Sequence, residues 1–366
     1  MADSRLHELA ERGQSVWFDT LSRDLVHSGE LARMMKEDAV TGVTSNPTIF
    51  QKALSTGTAY DDDLRKLVEE TDDPEKIFLS LALQDIRDAC DVLKPAYDAS
   101  DGVDGYVSME VLPGLAYDTE ATFAQARWIA TEVDRPNLYV KIPATLAGLP
   151  AIEDCTAHGT SINITLIFSL ARYKAVVEAY LRGLERLVAG GGDPSSVASV
   201  ASFFVSRVDT EGDKRLAGHP ELQGKLAIAN AKLAYQHYLE AFSGPRWEFL
   251  AGKGAHKQRC LWASTSTKNP DYRDVIYVEE LIGPETVNTM PLETIEAFQD
   301  HGEVRGDTLL EGIDEAHALF AALTAAGADY DDITETLEAE GVQKFADSFD
   351  EIAASIRTKH SELAAA

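Results

Sequence analysis

Lys141 lies inside Leu138-Tyr139-Val140-Lys141-Ile142-Pro143, an apolar run of the kind that forms a buried strand. Lysine is almost never fully buried without a partner, and burial disfavours the ammonium, so such a position favours the neutral, nucleophilic amine. A Schiff-base enzyme needs such an amine to condense with a carbonyl. The competing reading is a strand-end lysine whose methylenes pack on apolar neighbours while its head reaches water. Other polar residues at strand-like ends bear on the choice: Asp19, Asn46, Glu110, Asn163 with Thr165, and Ser202 with Arg207 just beyond. Each has a plain structural reading. Asp19 can cap a helix, Asn46 before Pro47 can begin a turn, and Thr165 is an ordinary β-former. Capping does not, however, put a carboxylate, a carboxamide, a second carboxylate and an amine at the ends of four consecutive strands.

These residues need elements to position them. β-Branched or aromatic runs occur at Val16–Asp19, Gly42–Ser45, Tyr106–Val111, Leu138–Ile142, Ser161–Leu166, Val197–Val205, Cys260–Ser264 and Val287–Thr289. Helical spacing fills most of the intervals, at Gly29–Asp38, Asp61–Glu70, Pro74–Leu93, Glu120–Thr131, Leu170–Ala189, Leu222–Phe242, Tyr272–Leu281 and Leu292–Asp300. Strand–helix alternation implies a parallel sheet. Eightfold alternation without a GxGxxG after the first strand predicts an α/β fold, a (β/α)8 TIM barrel, and not a doubly wound sheet. The chain is expected to be a single TIM-barrel domain over 1–366, with the barrel at about 14–308. The long connections Gln51–Asp104 and Arg207–Arg259 read as extra helical insertions. Acidic helices at about 309–360 form a C-terminal extension packed on the barrel. Gly190-Gly191-Gly192-Asp193 reads as a helix C-terminal turn, not a phosphate loop.

Composition narrows the function. The chain has 366 residues, 45% hydrophobic and 26% charged, which is ordinary for a globular protein. Its 61 acidic and 33 basic residues give a net charge of −28, a field that repels nucleic acid and anionic membranes. Cys90, Cys155 and Cys260 have no zinc or redox spacing, and nine histidines form no HExxH, so no metal or other cofactor is expected. The cysteines and the absence of a signal-peptide core or spanning segment suit a soluble cytoplasmic protein.

The motifs resemble those of the transaldolase family, in its longer bacterial form, along nearly the whole chain. They are Trp17-Phe18-Asp19-Thr20, Thr44-Ser45-Asn46-Pro47-Thr48, Val107-Ser108-Met109-Glu110-Val111, Val140-Lys141-Ile142-Pro143-Ala144, Asn163-Ile164-Thr165-Leu166-Ile167-Phe168-Ser169, Ser202-Phe203-Phe204-Val205-Ser206-Arg207-Val208-Asp209 and Asn288-Thr289-Met290-Pro291. The resemblance implies transfer of a dihydroxyacetone unit between sugar phosphates through a Schiff base on Lys141. It implies Asp19 as proton acceptor, and Glu110 with Thr165 as the pair that holds the catalytic water. Asn46 and Asn163 are implied to bind dihydroxyacetone hydroxyls, Ser202 to line the pocket and Arg207 to grip phosphate bidentately. Phe204 stands where related fructose 6-phosphate aldolases carry a tyrosine, which favours transfer over release of dihydroxyacetone. One departure follows strand seven. The family's second phosphate-binding arginine, in a Ser-Phe-Arg-Asn sequence, is absent from Ala263-Ser264-Thr265-Ser266-Thr267-Lys268-Asn269-Pro270, where Lys268 is the substitute. The alternatives are an aldolase-like lyase and a non-catalytic barrel kept for binding; the expected assembly is a monomer or homodimer.

Overall fold

Eight parallel strands close into one barrel in the computed structural model, which describes residues 4–45, 50, 51, 54 and 57–364. They are β1 (Gln14–Phe18), β2 (Val40–Thr44), β3 (Val107–Glu110), β4 (Leu138–Pro143), β5 (Ile162–Ile167), β6 (Ser199–Phe204), β7 (Gln258–Ala263) and β8 (Thr286–Met290). Strand order follows the chain, and β1 pairs with β8 to close the ring. The (β/α)8 expectation therefore holds. Every residue of β4, β5, β7 and β8 is buried, as strands covered on both faces require.

Alternate residues point into the lumen. Below the mouth these include Trp17, Tyr106, Tyr139, Val200, Leu261 and Val287, which belong to one apolar cluster. Two positions further along each strand, the same faces present Asp19, Ser108, Lys141, Ser202, Ala263 and Thr289. The lumen is thus a hydrophobic floor below a polar mouth. Gly42, beside Trp17 in the β1–β2 register, makes the floor possible: a Cβ there would lie 2.4 Å from Trp17 Cε2. We expect Gly42→Ala to overpack the floor and cost about 1–3 kcal/mol. Equilibrium urea unfolding would measure it, and an unchanged midpoint would refute this role for the glycine.

Helices lie outside the barrel. The Gln51–Asp104 connection holds Asp61–Glu70 and Pro74–Ala99, and the Arg207–Arg259 connection holds Ser206–Arg215, Leu226–Ala241 and Gly244–Ala251. The Leu170–Ala189 helix ends at Gly190, with Gly191 at φ +80°, the turn expected there. Tyr272–Leu281 differs from expectation: only Ile276–Glu279 is helical. Side chains tie the rest down, Tyr272 Oη donating to Asp213 Oδ2 at 2.6 Å and Arg273 Nε to Glu279 Oε2 at 2.8 Å.

The C-terminal extension consists of Ile313–Ala325 and the long Tyr330–Ala364 helix. The second is pinned to the barrel by polar contacts. Tyr330 Oη accepts from Leu170 N at 3.0 Å and donates to Asn230 Oδ1 at 2.6 Å, and Arg172 pairs with Glu338 at 3.1 Å. Among the described residues no helix is long and apolar enough to cross a membrane.

Candidate active site

The carboxyl-terminal mouth encloses a cavity of ≈ 250 Å³ lined by Asp19, Lys141, Thr165, Ser202, Phe204, Arg207 and Lys268, among others. Active sites of this fold lie at that end because each strand delivers its last inward side chain there. Register fixes the neighbours: Glu110 is opposite Lys141, Lys141 opposite Asn163, and Pro143 opposite Thr165.

Lys141 is 8% exposed, yet it is not stranded among apolar groups. Its Nζ donates to the Ser45 carbonyl at 3.1 Å and lies 3.0 Å from Glu110 Oε2. The second contact is an ion pair without hydrogen-bond alignment, since Oε2 is buried with no hydrogen-bond partner. The other oxygen, Glu110 Oε1, accepts from Thr165 Oγ1 at 3.0 Å. Amine, carboxylate and hydroxyl therefore form one connected group across three adjacent strands. It offers a nucleophile, a proton acceptor beside it, and a donor that orients that acceptor.

Beneath the mouth, Ser202 Oγ donates to Asn163 Oδ1 at 2.6 Å, and Asn163 Nδ2 donates to Ser108 Oγ at 3.2 Å. Asn163 is fully buried, beside Lys141 in the sheet. On the opposite wall Asp19 has its carboxyl pushed up to about 6, chiefly by burial and further by the Glu293 carboxylate. Lys268, Lys141 and a hydrogen bond with Thr20 oppose that rise. Asn46 lies outside the described residues.

Two of the six described non-glycine residues with positive φ lie at the rim. Leu166 and Ser264 adopt φ of +56° and +57°, and the β5–β6 register shifts between Ile164 and Ile167. Such left-handed residues and bulges cost of order 1 kcal/mol each and gather near functional sites, where they re-aim neighbouring side chains.

The rim is cationic. Arg207 makes no ion pair with any described residue, and its guanidinium carbon lies 5.3 Å from the Phe204 ring centroid. Burial holds its pKa below the usual value, against the pull of Glu340. Asp209 does not neutralise it. That carboxylate is buried, accepting from Ala227 N at 2.7 Å and Tyr277 Oη at 2.8 Å, so a surface pair with Arg207 is ruled out. Lys268 Nζ donates to Ser266 Oγ at 2.7 Å. Sequence reasoning missed Thr44, Ser266 and Thr289, together with Lys344 and Phe345 of the Tyr330–Ala364 helix, all of which line the cavity. Lys344 did leave a signal: it is the only cation between Asp331 and Ile356.

The fold and mouth define a class, a (β/α)8-barrel enzyme whose buried amine sits among carboxylates with unpaired cations at the rim. The family follows from comparison: residues 16–356 match the one described as Transaldolase/Fructose-6-phosphate aldolase, and the chain belongs to it. It is 54% identical to "Transaldolase" of Parafrankia sp. (strain EAN1pec) over 357 residues, 96% of this chain and 97% of that one. It is 54% identical to "Transaldolase" of Acidothermus cellulolyticus, covering 96% and 95% of the two chains. "Transaldolase 1" of Streptomyces avermitilis is 49% identical over 98% and 97%.

Proposed function

We infer that the chain is a transaldolase of the non-oxidative pentose phosphate pathway. It converts sedoheptulose 7-phosphate and glyceraldehyde 3-phosphate to erythrose 4-phosphate and fructose 6-phosphate. The observation that carries this is the buried Lys141 amine 3.0 Å from Glu110, whose other oxygen is held by Thr165. Glu110 takes a proton from the ammonium, and the free amine attacks C2 of the ketose. The carbonyl oxygen leaves as water with protons relayed through Glu110, giving an imine. Asp19 then accepts the C4 hydroxyl proton, and the C3–C4 bond breaks with its electrons drawn into the imine nitrogen. An aldose phosphate departs, leaving an enamine. The acceptor aldehyde takes the enamine carbon and receives its proton from Asp19, and water held by Glu110 and Thr165 hydrolyses the new imine.

Asn46 and Asn163 hold the dihydroxyacetone hydroxyls between donor and acceptor, Ser202 lines the pocket, and Arg207 and Lys268 take the phosphate. Phe204 supports transfer over release, because its ring offers water no hydroxyl. A cytoplasmic setting suits Cys90, Cys155 and Cys260, all free and buried.

Trapping tests the reading. Incubation with fructose 6-phosphate and borohydride should fix a sugar adduct on Lys141; an adduct elsewhere, or none, would sink it. Glu110→Gln probes the proton relay. It should lower kcat by about 10²–10⁴-fold with KM changed by less than roughly threefold, because the step lost is proton transfer and not sugar binding. An unchanged kcat would refute the assignment.

A further inference from the structure

Lys344 is a cation with no ion-pair partner among the described residues, on a helix otherwise acidic from Asp331 to Ile356. Its position over the mouth is built. Gly341, one turn earlier, is buried so closely against β5 that a Cβ there would lie 2.9 Å from Leu166 Cδ2. Val342 and Phe345 flank it and line a small cavity with Glu110, Leu112, Pro113 and Leu166. The Arg172–Glu338 pair and Tyr330 anchor the turns before it. This segment therefore holds Lys344 in the wall of the same cavity as Lys141, Arg207 and Lys268.

In a chain of net charge −28, most cations near carboxylates are paired. Arg207, Lys268 and Lys344 line one cavity with no ion pair to a described carboxylate, although Glu340 acts on Arg207 and Asp19 on Lys268 at longer range. Like charges so placed repel, and the repulsion is relieved by an anion between them. A neutral sugar end offers no such relief, whereas a phosphate dianion matches the cluster and accepts from all its donors. We propose that Lys344 is a specificity-determining residue which binds the substrate phosphate together with Arg207 and Lys268, so that the docked C-terminal helix completes the phosphate end of the site. This rests on the transaldolase reading above. Lys344's pKa is lowered first by Arg207, then by burial and by Lys268, so the three cations act on one another in the cavity. Lys268 alone offers phosphate a point charge, and Lys344 in the same wall supplies another.

The test compares Lys344→Met and Lys344→Arg with the unaltered enzyme, using fructose 6-phosphate or unphosphorylated fructose as donor and inorganic phosphate as competitive inhibitor. In Lys344→Met the ratio of kcat/KM for the phosphorylated over the unphosphorylated donor should fall about tenfold, through KM. The phosphate inhibition constant should rise by a similar factor, and Lys344→Arg should recover most of both. Equal losses with the two donors, or unchanged inhibition by phosphate, would overturn the proposal while leaving the transaldolase reading intact. Failure of the unaltered enzyme to form a borohydride adduct with fructose 6-phosphate would overturn both.

Discussion

Lys141→Ala should lose transfer activity by on the order of 10⁴-fold or more, because Lys268 and Lys344, the other described amines of the cavity wall, lack the adjoining Glu110 carboxylate that serves imine formation at Lys141 in the proposed mechanism. The substitution also leaves Glu110 Oε2 buried without its cation. Breaking a buried pair from one side costs about 3–5 kcal/mol, so lost activity must be separated from lost fold. The double variant Lys141→Ala, Glu110→Gln does this. Removing the orphaned charge should restore a large part of the stability, read as the melting temperature, while activity stays absent. Borohydride trapping on the folded double variant should then leave no sugar adduct. Near-normal turnover in either variant would refute the Schiff-base mechanism.

Lys141 also shows what the sequence conveyed and what it withheld. Its burial was legible from the apolar run around it, and its neighbours from the ends of the adjoining strands. The desolvation argument alone treated the amine as isolated, whereas the β3–β4 register sets Glu110 directly opposite it. Pairing register is a tertiary property that a run of residues does not state. The eight strands were legible because parallel barrel strands, buried on both faces, are nearly continuous apolar runs. Helical spacing ends at Leu93, yet the helix runs from Pro74 to Ala99 through Pro95, which lacks a hydrogen-bond donor. Packing overrides that cost: Tyr97, beyond the proline, meets Tyr106 edge to face at 5.4 Å and lies against Gly105. Lys344 was least legible. It reads as part of a solvated acidic helix until Gly341 is seen against Leu166, a contact between segments far apart in the chain.

Asp19→Asn should raise stability while it abolishes most activity, and both effects come from one cause. Burial, with Glu293, pushes the Asp19 carboxyl from 3.8 to about 6. Between those values the folded protein holds the proton more tightly than the unfolded chain, so its stability falls as pH rises through that range. Above about pH 6 the penalty is complete, with an upper limit of about 3 kcal/mol, reduced because the residue lines a cavity open to solvent. Asparagine carries no charge to desolvate. Its advantage in melting temperature should therefore be largest at pH 8 and shrink as pH falls from 6 toward 4. Catalysis runs the other way. In the proposed mechanism the ionised form accepts the C4 proton, so kcat/KM should drop about tenfold per pH unit below about 6, and Asp19→Asn should lose roughly 10²–10⁴-fold at pH 8. An acid limb near pH 6 that persists in Asp19→Asn would assign the limb to another group. A lower melting temperature for the variant at pH 8 would show that the carboxylate stabilises the mouth, and the strain ascribed to it would be wrong. If both expectations hold, the mouth keeps a destabilising charge because the proton-transfer step needs a base that burial, with Glu293, brings close to the working pH.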